Sequence, residues 1–151
     1  MRLTETPEYV TWPETHYAFV ERTGSIPQNA PLTWQEFHQF LPQLKSSATV
    51  TGFLSLYKMA DQVYRAGASV GSKPAKLPGS LRYELFPGGK YARFVLTGPY
   101  PNLGKATGRV VEIVSEKKIA LRDGYHIEHY VNDPATTPED ELITEILFPV
   151  P

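Results

Sequence analysis

Two histidines, a carboxylate and a phenol fall within five residues, His126-Ile127-Glu128-His129-Tyr130. Strand alternation sends His126, Glu128 and Tyr130 to one face and Ile127, His129 and Val131 to the other. A carboxylate on a partly buried aromatic face attracts a cation, because a lone buried charge is costly and a counter-ion removes that cost. With a raised pKa, the same carboxyl can act as a general acid or activate a water. Glu128 is therefore the leading binding residue and, if the protein is an enzyme, its acid/base. Tyr130 stands beside it to orient a substrate. The plain alternative is an exposed strand glutamate. His126 and Glu128 are also two potential metal ligands, but a catalytic zinc site usually needs three. No third is evident, so neither metal nor cofactor is expected. His129 is expected to face the helices as a packed, neutral, hydrogen-bonded histidine.

Other chemistries are excluded by composition. The chain of 151 residues has no cysteine, which removes disulfides, thiolate metal sites and cysteine nucleophiles. It has no Gly-x-Ser-x-Gly elbow and no phosphate-cradling glycine loop, Gly88-Gly89 reading as a turn. Fifteen Lys+Arg against 16 Asp+Glu give a net charge of −1. That lacks the basic excess of a direct nucleic-acid binder. Residues 1–9 carry Glu5 and Glu8 without an apolar run, unlike a signal peptide. The longest apolar stretches, such as 146–150, fall far short of the ~20 residues a membrane span needs. A cytoplasmic location is expected, with no membrane partner. Hydrophobic residues make up 41% and aromatics 12%, too much for disorder, so the 14 prolines mark turns.

The elements that must position Glu128 follow from patterning. Residues 9–20 read as a strand broken by Pro13, and 25–31 as a turn. Thr33 and Glu36 form a capping box opening a helix. Its apolar face is Trp34, Phe37, Phe40, Leu41 and Leu44, and Pro42 should end or kink it. Strands follow at 50–58 and 62–70, then a linker at 71–80. Residues 82–96 read as a strand pair or bent strand interrupted by Pro87-Gly88-Gly89. Asn102 caps a second helix with Leu103, Ala106, Val110, Ile113 and Val114 on one face. A strand at 125–131, a short helical start at 137–140 and a last strand at 142–150 complete the chain.

The halves are related. Setting 17–27 over 91–101 brings Tyr, Ala, Thr, Gly and Pro into register without a gap. This reads as a duplicated strand–helix–strand–strand unit, with repeat one at about 9–70 and repeat two at about 82–150 within a single domain. The fold class expected is α+β: an antiparallel sheet, two helices on one face and a ligand cleft on the other.

Three ordered motifs carry a resemblance. They are Phe86-Pro87-Gly88-Gly89-Lys90-Tyr91-Ala92 running on to Gly98-Pro99-Tyr100-Pro101, then Ile127-Glu128-His129-Tyr130-Val131-Asn132-Asp133-Pro134, then Thr137-Pro138-Glu139-Asp140-Glu141-Leu142 with the strand after it. Together they make the chain resemble the GyrI-like small-molecule-binding domain family, also called the AraC-type effector-binding domain. His129 departs from the aliphatic residue usual there. The resemblance implies a standalone member that binds small aromatic or cationic molecules, for drug or toxin sequestration or sensing. Glu128 matches the family's pocket glutamate and Tyr91 its strand tyrosine. Tyr17 is the repeat partner of Tyr91, and Tyr57 the counterpart of Tyr130. Those tyrosines and Trp12, on the first strand, are the expected walls, since aromatic faces attract cations. Two alternatives stay open. One is a hydrolase of electrophilic, cyclopropane-type genotoxins using Glu128. The other is a module acting on a protein partner, such as a gyrase inhibitor.

Overall fold

Two proline-marked breaks decide how the chain divides. The computed structural model describes residues 1–151, with nine strands and two α-helices. Pro13-Glu14 separates β2 (Glu8–Trp12) from β3 (Thr15–Thr23), and Pro87-Gly88 separates β6 (Arg82–Phe86) from β7 (Gly89–Thr97). Proline has no N–H for a strand ladder, so pairing stops at each break. There the chain passes between two compact units, one of residues 13–88 and one of residues 1–12 with 89–151. This partition differs from repeats at 9–70 and 82–150. The strand before Pro13 pairs with β7, and β6 pairs with β3. The two strands around Pro87 do not pair with each other.

The unit 13–88 runs β3, α1 (Ile26–Ser47), β4 (Val50–Lys58), β5 (Val63–Val70), β6. Its strands are antiparallel in the order β4-β5-β3-β6. Helix α1 lays Phe37 and Leu44 on Ala18, Val20, Ala66 and Ala68, all buried. Trp34, Phe40 and Leu41 pack around them. The helix begins seven residues before Thr33, after Ser25, without a side-chain cap. Pro27 sits in its first turn, where no N–H is needed. Pro31 and Pro42 lie inside it, each forgoing one backbone bond, and burial of the Phe37–Leu44 face carries the helix through both. Thr33 does not cap. Its Oγ1 donates to the Asn29 carbonyl at 2.7 Å, which leaves Glu36 to accept from Arg22 at 2.8 Å.

The other unit consists of β1 (Arg2–Leu3), β2, β7, α2 (Leu103–Glu116), β8 (His126–Tyr130) and β9 (Ile143–Pro149). The antiparallel order is β8-β9-β7, with β1 and β2 following one another along the outer edge of β7. Helix α2 sets Ala106, Val110, Ile113 and Val114 against Ala92, Phe94, Leu96, Ile146 and Phe148. A 3-10 turn, Tyr100–Asn102, leads into it, and Asn102 makes no side-chain cap bond. A second 3-10 turn, Glu139–Glu141, precedes β9.

The fold is thus α+β. The order β3-α1-β4-β5 recurs as β7-α2-β8-β9, and strand order β4-β5-β3 recurs as β8-β9-β7. The glycines that end the matching strands, Gly24 and Gly98, take φ of 113° and 136°. An L side chain is strained there, which explains why the Thr-Gly pair recurs. Neither helix is long and apolar enough to cross a membrane.

Candidate functional site

Register decides which face Glu128 occupies. Residues directly opposite in an antiparallel pair share a face. Glu128 stands opposite Ile146 and Tyr130 opposite Thr144, while Phe94 stands opposite Ile146 and Ala92 opposite Phe148. Ile146, Phe148, Phe94 and Ala92 form the core beneath α2. Glu128 therefore lies on the face that carries α2, not on the face away from the helix where a cleft was expected. The core beneath α2 draws on β7 and β9 and not on β8, so the helix leaves the β8 strip beside it partly open. His126, Glu128 and Tyr130 are accordingly half-buried.

The strip is built from aromatic and acidic parts. The Tyr130 hydroxyl donates to Glu128 Oε1 at 2.9 Å. The Tyr100 ring, from the turn before α2, meets the Tyr130 ring edge-on at 5.5 Å. His126 stands edge-on to Phe148 at 4.4 Å. Burial pushes the Glu128 carboxyl pKa up, opposed by the Tyr130 hydrogen bond. Burial also holds the His126 imidazole down at about 4, against an ordinary 6.5. The face thus presents a neutral imidazole, two phenol rings and a carboxyl whose ionised form a nearby positive charge stabilises.

His126 also makes a stability prediction. Its folded pKa lies below the unfolded value, so the unfolded chain binds the extra proton first. Stability is fully present above pH 6.5 and is lost as pH falls toward about 4. After allowance for partial exposure, the loss is about 2 kcal/mol. Urea titrations across this range should show that slope in the wild type and a shallower one in His126→Phe.

Two of the other expected wall residues, Tyr91 and Trp12, take the opposite face of their sheet. Tyr91 stands opposite Pro149, on the face away from α2. It is fully buried, and its hydroxyl donates to the Tyr125 carbonyl at 3.1 Å. Burial raises its pKa while the Arg122 guanidinium, 5.2 Å from the ring centre, opposes that. Trp12 stands opposite Gly89, also away from α2, and meets the His129 ring edge-on at 5.2 Å. His129 shares that face rather than facing the helix, because it stands opposite Glu145. Its Nδ1 lies 2.7 Å from Glu145 Oε1, and Arg93 reaches the other carboxylate oxygen at 3.0 Å. The His129 hydrogen bond is the main cause holding the Glu145 carboxyl below its usual range.

Tyr17 and Tyr57 belong to the unit 13–88. Tyr17 is fully buried away from α1, and its hydroxyl donates to the Leu54 carbonyl at 2.8 Å. This is the same structural use as Tyr91, one repeat earlier. Tyr57 takes the α1 face of its unit, stacked on Tyr64 at 6.3 Å. Tyr64 in turn accepts from Trp34 Nε1 at 2.8 Å and bonds Ser55 at 2.7 Å. Tyr100 is the site residue that sequence reasoning passed over. Its signal was the Gly98-Pro99-Tyr100 turn, which aims a ring from the mouth of α2 toward β8.

A family model for the GyrI-like small molecule binding domain matches residues 5–151. The chain belongs to this family. The GyrI-like fold recurs in solved structures. The EcmrR C-terminal domain is 18% identical with a TM-score of 0.76, and the match covers 97% of both chains. SAV2435, solved bound to tetraphenylphosphonium, is 17% identical with a TM-score of 0.76, covering 96% of this chain and 93% of that one. A hydrolase from Listeria innocua is 13% identical with a TM-score of 0.58, covering 97% and 92%. At such identities the likeness is one of fold. Against EcmrR in its DNA complex, at 17% identity and a TM-score of 0.74, this GyrI-like domain spans 56% of that chain. A search of curated proteins returned no match.

Proposed function

We propose that this GyrI-like domain binds small aromatic cations over Glu128, sequestering or sensing them. One observation carries the reading. A half-buried carboxyl with a raised pKa sits among Tyr130, Tyr100 and His126, with no cationic side chain paired to it. A bound cation supplies the missing counter-charge and phenol rings add cation–π attraction of roughly 0.5–2 kcal/mol each. The relative SAV2435 was solved with such a molecule, tetraphenylphosphonium, which supports the choice of probe. Calorimetric titration with tetraphenylphosphonium should give saturable binding that weakens as pH falls, because protonating Glu128 removes the charge. Absence of binding, or an affinity that does not weaken as pH falls, counts against it.

A second reading rests on the same raised carboxyl. A neutral Glu128 can donate its proton to a strained ring as water adds to the opening carbon, and the carboxylate then takes the proton water gives up. The net change is addition of one water. Incubation with cyclopropane-bearing electrophiles, followed by mass analysis, separates the two: unchanged compound supports binding, and a gain of one water supports hydrolysis.

A further inference from the structure

A groove of about 320 Å³ opens on the unit 1–12 with 89–151, lined by Tyr9, Lys90, Lys117, Lys118, Ile119 and Val150 among others. None of the residues around Glu128 lines it. Ile119 and Val150 give it apolar surface, and the Tyr9 ring is half exposed. Its three lysines form no ion pair. Lys117 Nζ donates only to the Glu5 backbone carbonyl at 3.0 Å. Lys90 Nζ stands 5.7 Å from the Tyr9 ring centre. The Glu5 carboxylate offsets Lys117 in part, which leaves Lys90 and Lys118 as the positive charges beside the apolar floor.

Lys118 adds a second, independent observation. Helix α2 ends in a Schellman motif: Ile119 N–H donates to the Val114 carbonyl at 3.0 Å and Lys118 N–H to Ser115 at 3.2 Å. Lys118 sits at the left-handed position with φ 53°. Glycine takes that position without strain, and an L residue there costs about 1 kcal/mol. A strained conformation held by a charged residue on a cavity wall points to use of the charge. Lys117 already complements the helix end, so the helix itself does not need Lys118.

We propose that this groove binds a small organic anion, a carboxylate or phosphate carried on an apolar body of one or two rings. The lysines would hold the anion, while Tyr9, Ile119 and Val150 pack the body. The volume suits such a ligand, near the lower end of small-molecule sites. Calorimetry with 2-naphthyl phosphate, 2-naphthoate and the uncharged 2-naphthol tests it. Both anions should bind saturably, with affinity falling severalfold between about 50 and 300 mM salt as screening grows. The naphthol should bind about tenfold more weakly or not at all. Lys90→Glu combined with Lys118→Glu should weaken the anions about tenfold while leaving tetraphenylphosphonium affinity unchanged, which certifies the fold. Lys118→Gly should raise the melting temperature yet weaken anion binding. No saturable anion binding, equal binding of naphthol, or undiminished anion affinity in the double variant or in Lys118→Gly overturns the proposal.

Discussion

Glu128→Gln should weaken tetraphenylphosphonium binding by about 10- to 100-fold at pH 8, a loss of roughly 1–3 kcal/mol. The amide keeps the shape of the carboxylate and still offers an oxygen to the Tyr130 hydroxyl, 2.9 Å away in the wild type. What it removes is the charge. The effect exceeds that of any single aromatic wall, because a full counter-charge outweighs one cation–π contact. The pH profile separates loss of charge from loss of shape. In the wild type, affinity should fall as pH drops through the raised Glu128 pKa, with protons released on binding at intermediate pH. In the variant, the profile should be flat. The variant should also fold at least as stably, since it no longer desolvates a carboxylate. Calorimetry in two buffers of different ionisation enthalpy reads both affinity and proton release. Unchanged affinity in Glu128→Gln would remove Glu128 as the charge partner.

Gly67→Ala should cost about 3–5 kcal/mol, enough to unfold a marginal domain. Gly67 stands in β5, between β4 and β3. A Cβ there would meet the Ala18 carbonyl oxygen at 2.3 Å and the Tyr17 ring and the Phe19 Cβ at 2.8 Å. The backbone oxygen belongs to a paired strand and cannot move aside. Tyr17 is fully buried, with its hydroxyl on the Leu54 carbonyl, so it cannot swing away without leaving a buried donor unpaired. Gly67 and Tyr17 thus form one structural feature in which the ring lies over the bare backbone. Chemical denaturation of Gly67→Ala checks this, and near-wild-type stability would contradict the packing described.

This pair also shows what the sequence revealed and what it hid. Tyr17 and Tyr91 were legible as repeat partners, 74 residues apart and followed by the same Thr-Gly turn. Both perform one task, donating to a neighbouring carbonyl from the buried face away from the helix. Their role was not legible, because a tyrosine lining a pocket and a tyrosine locking a strand have the same local pattern. The grouping of His126, Glu128 and Tyr130 on one strand face followed from alternation alone. Which face that was depended on pairing with β9, and only Ile146 opposite Glu128 decides it. His129 was misplaced for the same reason.

The first helix shows the limit of local signals. Thr33 and Glu36 have capping-box spacing, yet the helix starts at Ile26. Pro27 looks like a turn residue in sequence but suits a first helical turn. The apolar face from Trp34 to Leu44 was legible because its period is set by burial, which outweighs propensity over that length. The division at Pro13 and at Pro87-Gly88 was marked in sequence as breaks. The partners of β2 and β6 across those breaks were not, since strand pairing is a long-range choice.

On the proposed reading, a cation is held against Glu128 on the α2 face of β8. Tetraphenylarsonium, the arsenic analogue of tetraphenylphosphonium, allows its position to be read directly by anomalous scattering from a crystal of the complex. The predicted result is an arsenic peak over the β8 strip, within about 6 Å of the Tyr130 and Tyr100 rings and facing the Glu128 carboxylate. A peak on the opposite face, beside Tyr91 and Trp12, or in the lysine-lined groove, with none near Glu128, would contradict it.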